Sequence, residues 1–166
     1  MFSIFASKFL LMKYIRLTKE QLEELHPEFS RFLASQQIDR NEWDTIKKEK
    51  PEVAEQELDV FSDLIWENVL DKAQWLEHYS PNHIFLFKMG KESMESIIIH
   101  AHTPNADLTT EHGLVWLNEN IFSDDVKVTR GKKDFGEDRN GEIFSLMQQG
   151  ATLTDGVLYA QFEDMF

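Results

Sequence analysis

Two histidines separated by a single residue, His100 and His102, have the spacing that most directly suggests chemistry. They end an apolar, β-branched run (ESIIIHAH) typical of a strand, where residues i and i+2 point to the same side. Two imidazoles on one side of a strand can share a zinc or iron ion, and a third ligand is then required. Asp107, His112 and His83 are the nearest candidates in the sequence. The pattern predicts a metal site at His100 and His102 and, with it, a small metal-dependent hydrolase-like enzyme.

The same histidine pair has a simpler interpretation as two polar positions at the exposed end of a strand. No HExxH or comparable carboxylate-bearing motif accompanies it. His78 and His83 flank the turn at Pro81 without a nucleophile motif, so we interpret them as polar turn residues. The chain has no cysteine, which excludes disulfides, thiolate metal sites and a cysteine nucleophile. We therefore predict no catalytic residue and no cofactor.

A basic cluster surrounds Gly131. Its members are Lys127, Arg130, Lys132 and Lys133. The GxxxxGK[ST] spacing of a phosphate-binding loop is absent. As a functional site, the cluster is interpreted as a loop that contacts a phosphate or an acidic partner. As a structural feature, it is either a solvated hairpin end or an internal ion-pair partner of the acidic helix. RNA or DNA binding through residues 127–133 is a third functional hypothesis, which the formal net charge of −13 disfavours because it repels phosphate backbones.

Residues 52–71 carry the strongest charge feature, seven acidic side chains without a base. Apolar residues at steps of three and four predict a helix that opens at Pro51. The acids assigned to its outer face are Glu55, Asp59, Asp63 and Glu67. This face is interpreted either as a docking surface for a basic protein or as a solvated surface. Because no catalytic signature is present, the leading hypothesis is a non-enzymatic protein-interaction or adaptor protein that uses this acidic face.

Local signals predict three helices before residue 80. Thr18 with Gln21 and Asp39 with Glu42 form capping boxes, and Pro27 predicts a kink or a restart. After Pro81, residues 83–89 and 95–102 predict a β-hairpin. Three successive isoleucines predict that its second strand is buried on both faces and is therefore either central in a sheet or covered by helices.

The remaining elements are a helix over 110–120, a short strand at 126–129, a helix over 142–149 that ends at Gly150, and a last helix capped by Thr154. This order predicts an α+β fold in which a helical N-terminal half precedes a small, mainly antiparallel three-stranded sheet covered by helices. Residues 12–166 form one domain, with a helical part over 12–80 and a ββαβαα part over 81–166.

The first eleven residues, MFSIFASKFLL, are apolar apart from Lys8. They have no cleavage site of the small-x-small kind and fall short of the roughly 20 residues that span a bilayer. We interpret residues 1–11 as an N-terminal extension and predict a cytoplasmic protein that does not enter a membrane. We assign most of the four tryptophans to the core, together with Leu158, Phe162 and Met165. One or two aromatic residues could instead lie on a dimer interface, so a homo-oligomer is compatible with the sequence.

Three stretches of the chain are similar to an uncharacterised family of small flavobacterial (Bacteroidota) proteins. They are residues 12–61 (MKYIRLTKEQ to QELDVF), 107–117 (DLTTEHGLVWL) and 149–159 (QGATLTDGVLY). The resemblance covers nearly the whole chain from Met12 and supports the interpretation of residues 1–11 as an extension. It implies a soluble cytoplasmic protein that stands alone as a single domain, and it transfers no catalytic or binding residue, because the function of the family is unknown.

Overall fold

The structure, a computed structural model, describes residues 12–166, so the predicted extension over residues 1–11 lies outside the described residues. The chain divides into two compact units, one that ends at Val69 and one that runs from Leu70 to Phe166. Throughout the described part, no helix has both the length and the apolar character that crossing a membrane requires.

The first unit is helical. Its helices are α1 (Lys19–Glu24), α2 (His26–Ser35), α3 (Arg40–Glu49) and all but the last two residues of α4 (Pro51–Asp71). Both predicted capping boxes are confirmed, because Thr18 accepts from the Gln21 amide and Asp39 from the Glu42 amide. These bonds satisfy amides that have no partner within the helix. Pro27 lies in the first turn of α2, where a missing N–H costs nothing.

An aromatic cluster joins α2, α3 and α4. The Phe29 ring lies 5.2 Å from the Trp43 ring and 5.0 Å from the Phe61 ring, measured between centroids, and both pairs are edge-on. Aromatic quadrupoles favour this orientation over a face-to-face sandwich. Phe61 is almost completely buried. The apolar stripe of the acidic helix is therefore packed at Ala54 and Phe61 but exposed at Leu64 and Val69. One of the acids, Glu57, is itself buried and accepts from Gln36 at 2.9 Å.

The second unit is built on a five-stranded antiparallel sheet. The strands are β1 (Trp75–Tyr79), β2 (His83–Met89), β3 (Ser93–Ala101), β4 (Val126–Asp134) and β5 (Thr152–Leu153), in the spatial order β4-β3-β2-β1-β5. The predicted α+β class and the β2–β3 hairpin are confirmed. The prediction of three strands is wrong, since β1 and β5 extend the sheet beside β2.

Strand β1 falls inside residues 12–80, which the sequence assigns to a helical part. Its five residues, WLEHY, are too few to reveal an alternating pattern. The strand is fixed by partners distant in sequence, since all five residues pair with β2 and two of them also pair with β5. β5 has only two residues and carries no sequence signal of its own.

Three helices complete the second unit. They are α5 (Glu111–Asn120), α6 (Arg139–Gln148) and α7 (Val157–Met165). Thr110 caps α5, and Gly150 follows α6 with a φ of 115°, which matches the predicted glycine after a helix end. The N-cap of α7 is Gly156 and not the predicted Thr154.

The core of the second unit lies between one face of the sheet and the helices α5 and α7. Its strand residues include Ile84, paired with Ile99, and Leu86, paired with Ile97. The helices contribute Leu117, Tyr159 and Phe162. Ile98 points to the opposite face and is only half-buried, so the central position of β3 is confirmed but its complete burial on both faces is not.

Arg139, the first residue of α6, ties this helix to two chain reversals. Its guanidinium donates to the carbonyl oxygens of Leu70 at 2.9 Å, Ala73 at 2.8 Å and Gly90 at 2.7 Å. Charged donors of this kind give stronger hydrogen bonds than neutral ones. One side chain thereby satisfies carbonyls at the end of α4, before β1 and at the β2–β3 turn.

Replacing Gly156 by alanine is expected to destabilise the protein by about 2–4 kcal/mol. The residue has a φ of 80°, and a Cβ at this position would overlap the Trp75 indole. Gly136→Ala is the matched control, because a Cβ there meets nothing within 4 Å. Urea unfolding monitored by circular dichroism measures both variants, and an equal effect of the two substitutions would contradict the packing described here.

Candidate functional site

The four acids assigned to a docking face on α4 contact an N-terminal segment of the same unit, residues 13–17. The Arg16 guanidinium forms ion pairs with Glu55 and with Asp59, the latter through Nε at 2.6 Å. The hydrogen bond to Asp59 is the main cause of a raised pKa of Arg16, and Glu55 adds to it. Asp59 and Glu55 therefore neutralise a cation from their own chain.

Asp63 and Glu67 bind the two residues at the start of this segment. The Asp63 carboxylate accepts from the backbone N–H groups of Lys13, at 2.8 Å, and Tyr14, at 2.9 Å. Glu67 accepts from the Tyr14 hydroxyl at 2.7 Å and pairs with the Lys13 ammonium at 3.5 Å. Burial and the bond to Glu67 raise the pKa of Tyr14 to about 12. The predicted docking acids thus position residues 13–17, and an external basic partner would compete with these contacts.

The four predicted basic residues do not lie on a loop, because residues 126–134 form the edge strand β4. Alternation along the strand separates Lys127 and Lys133 from Arg130 and Lys132, which point to the other face. Lys133 pairs with Glu142 at 3.1 Å, and Arg130 donates to the carbonyl of Glu163 at 2.7 Å. Lys132 lies opposite Glu95 in the strand register. The cluster seen in the sequence is therefore two pairs of cations with different neighbours.

The histidines form a stack across two strands. His83 of β2 and His100 of β3 are register partners, and their rings are parallel within 2° at a centroid distance of 4.2 Å. The His102 ring lies 4.0 Å from that of His100. Imidazole lone pairs lie in the ring plane, so parallel stacked rings do not direct them to one point. Within residues 12–166 no group of three His, Cys, Asp or Glu side chains is placed to hold a metal ion, so the described part lacks the third ligand that the hydrolase hypothesis requires.

An apolar groove lies between α5 and α7, above the sheet. Its volume is about 710 Å³, within the usual range for ligand pockets. Ile84, Leu117 and Phe162 form buried parts of the lining, whereas Leu114 and Met165 are 40% and 45% exposed. Just beyond it, Phe122 is 76% exposed, and its ring lies 5.8 Å from that of Phe166.

Exposed apolar side chains are frequent on the two helices that border this groove, and two of them, Leu114 and Met165, line it. Six of the ten large apolar side chains exposed within residues 12–166 belong to α5, α7 or the residues that follow them. These six are Leu114, Val115, Phe122, Val157, Met165 and Phe166. Scattered single apolar residues are ordinary on a protein surface, but a contiguous patch typically marks an interaction site.

The charge around the groove is negative. Neither α5 nor α7 contains a lysine or arginine. Asp164 lines the groove itself, while Glu119 on α5 and Asp124 in the following turn add further negative charge. Among the described residues, these three carboxylates take part in no ion pair.

The sequence does not identify this groove, because it assigns Leu158, Phe162 and Met165 of its lining to the core. Phe162 is buried as predicted, but Met165 is wrongly placed in the core. Four consecutive apolar residues, Leu114 to Leu117, cannot all face one side of a helix whose apolar stripe spans about 100°. That excess of apolar residues over one stripe is the signal that would have revealed the exposed surface.

The fold and the groove define an α+β protein in which two helices cover one face of an antiparallel sheet. The chain belongs to a family of unknown function (DUF6495), whose model matches residues 12–166. The predicted membership of an uncharacterised family is thereby confirmed. No curated protein matches the chain, and no solved structure does.

Asp63→Ala is expected to lower the free energy of unfolding by about 1–3 kcal/mol, because two backbone amides lose a charged acceptor. Glu52→Ala on the same helix is the control, since Glu52 is exposed, and we expect a change below about 0.5 kcal/mol. Urea titration measures both. Equal stabilities would show that the segment 13–17 is not held by this carboxylate.

Tyr14 also predicts a dependence of stability on alkaline pH. The folded state keeps the phenol protonated up to a pKa of about 12, whereas the unfolded chain loses the proton near 10.0. The folded state binds more protons between these values, so the contribution of Tyr14 to stability falls as the pH rises through this window. Ultraviolet absorbance of tyrosinate measures the titration. Tyr14→Phe should remove one late-titrating phenol, and an unchanged titration curve would contradict this assignment.

Proposed function

We propose that this chain is a non-enzymatic protein-interaction protein that binds a basic, amphipathic helix of a protein partner in the apolar groove between α5 and α7. The observation that carries the proposal is the frequency of exposed apolar side chains on the two helices that border a groove with unpaired acids at its edge. We also propose a cytoplasmic location, which is supported by the composition and the family resemblance. The resemblance alone supports the proposal of a flavobacterial origin.

The shape of the surface favours a helix over a small molecule. A compact ligand that fills about 710 Å³ would cover Leu114 and Met165 but leave Phe122 and Phe166 outside. An amphipathic helix presents apolar residues at i, i+3, i+4 and i+7 over several turns, which suits a groove continued by exposed aromatic rings. Burial of such anchors supplies most of the affinity in interfaces of this kind.

The charge of the surface favours a basic partner over a second copy of the chain. In a two-fold dimer the same patch meets itself, so the acids of both copies would share one interface to which neither α5 nor α7 contributes a lysine or arginine. Lysine or arginine residues beside the apolar anchors of a partner would instead meet these carboxylates with complementary charge. The predicted basic protein partner is retained in this proposal, while its docking surface moves from α4 to the groove.

The test uses two designed helical peptides with identical leucine spacing, one with lysines and one with glutamates on the polar face. Fluorescence anisotropy should show saturable binding of the lysine peptide only. Leu114→Glu and Phe122→Glu should each weaken it by about tenfold or more, because a charge replaces an apolar anchor. Leu64→Glu is the control, since Leu64 is similarly exposed but lies on α4.

Three results would contradict the proposal. Equal binding of both peptides would mean that charge does not select the partner, and insensitivity to Leu114→Glu and Phe122→Glu would mean that the groove is not the site. A dimer detected by light scattering that dissociates in Phe122→Glu would assign the groove to a second copy of the chain.

A further inference from the structure

A second surface of the second unit, unrelated to the groove, has the opposite charge preference. It lies at the edge of the sheet where β3 ends and where β2 and β4 begin. Its residues are His83, His100, His102 and Lys127. His100 is the register partner of both His83 and Lys127, so these three side chains lie side by side on one face of the sheet. His102 and Lys127 are exposed, and the other two are half-buried. We call these four residues the cationic corner.

The cationic corner has no acidic ion-pair partner in the part of the chain that the structure describes. The His83 ring contacts the amide oxygen of Asn82 at 2.9 Å. The nearby Asp107 carboxylate accepts from the amide and hydroxyl of Thr109, and Asp125 provides only its carbonyl, to the His102 N–H.

On the neighbouring strand β1, a further ionisable base, His78, follows the stack beyond Phe85. On the β1 side, the Phe85 ring lies between the rings of His83 and His78, at centroid distances of 5.5 Å and 5.8 Å. Partial burial and repulsion from His102, His83 and Lys127 lower the pKa of His100. In a chain with a net charge of −13, four cationic or ionisable basic groups thus lie together without an ion-pair partner among residues 12–166.

The corner also borders a concave surface that can accommodate a small ligand. A pocket of about 490 Å³ is lined by His100 and His102 and by Asn82 and Thr103, whose amide and hydroxyl groups are hydrogen-bond donors. Lys127 is outside this lining but lies beside His100 in the strand register. Imidazolium and ammonium groups, together with neutral donors, bind phosphate and sulfate oxygens in proteins.

We propose that the cationic corner binds a small anionic oxyanion of the phosphate type, with His100, His102 and Lys127 as its charged donors. A bound anion supplies a counter-charge to the corner and favours the protonated imidazoles. Binding is therefore coupled to proton uptake and is stronger at mildly acidic pH than at alkaline pH.

The experiment titrates the full chain with inorganic sulfate, which keeps a charge of −2 over the working range, at about pH 5.5 and about pH 8. Nuclear magnetic resonance of the imidazole rings reports which histidines respond. We expect saturable shifts at His100 and His102 at the lower pH and at least about tenfold weaker binding at the higher pH.

Two exposed positions test the site without disturbing the core. His102→Gln and Lys127→Gln should each weaken sulfate binding by about fivefold or more, as expected when one charge-assisted hydrogen bond is lost. Lys91→Gln is the matched control, because it removes one positive charge at the opposite end of the β2–β3 hairpin, roughly 25 Å away. An equal loss in the control, or shifts that do not saturate, would overturn the proposal.

A second pair of titrations compares inorganic phosphate with glycerol 3-phosphate at the lower pH. Tighter binding of the ester would assign the site to a phosphate monoester, and tighter binding of the free ion would assign it to phosphate itself. Absence of binding by both ions would overturn the proposal even if sulfate binds, since a phosphate-type site must accept phosphate.

Discussion

The sheet face formed by β2 and β3 limits how much apolar surface the second unit can bury. Ile84, Leu86, Ile97 and Ile99 fill this face, and each covering helix can place only one stripe of side chains against it. Leu117 of α5 and Phe162 of α7 occupy that space. Other apolar residues of the same helices remain at the surface, so the groove is a consequence of two strongly apolar helices packed on a narrow sheet.

A second constraint governs the first unit, where α4 carries seven acids and no base within its own segment. Acids in the last turns of a helix face the negative end of its dipole and repel one another. The segment 13–17 relieves this repulsion, because it brings Lys13, Arg16 and two backbone N–H groups to four of the acids. The negative charge of α4 thus contributes to the structure of its own unit, whereas the unpaired carboxylates beside the groove make no such contribution.

A feature of this structure is predictable from the sequence when the residues that form it are close together along the chain. Capping boxes at Thr18 and Asp39 and the glycine after α6 involve neighbours within a few positions, so their patterns are legible in the sequence. The pairing of β1 with β5 and of Arg16 with Asp59 joins residues that are far apart in the chain. No local pattern encodes such contacts, and this is why two strands and the partners of the acidic helix were missed.

The same distinction explains the candidate sites. Residue type and spacing found the histidines and the basic residues, because both sets are close in sequence. The register of the sheet then decided their neighbours: it separated Lys127 from Arg130 and stacked His100 between His83 and Lys127. Along this strand, Lys133 pairs with Glu142 and Arg130 donates to the carbonyl of Glu163, whereas Lys127, on the same face as Lys133, forms no ion pair among the described residues. The chain therefore combines an apolar surface edged by acids with a corner of cations that form no ion pair among the described residues, and the ligands proposed for these two surfaces have opposite charges although the net charge of the protein is strongly negative.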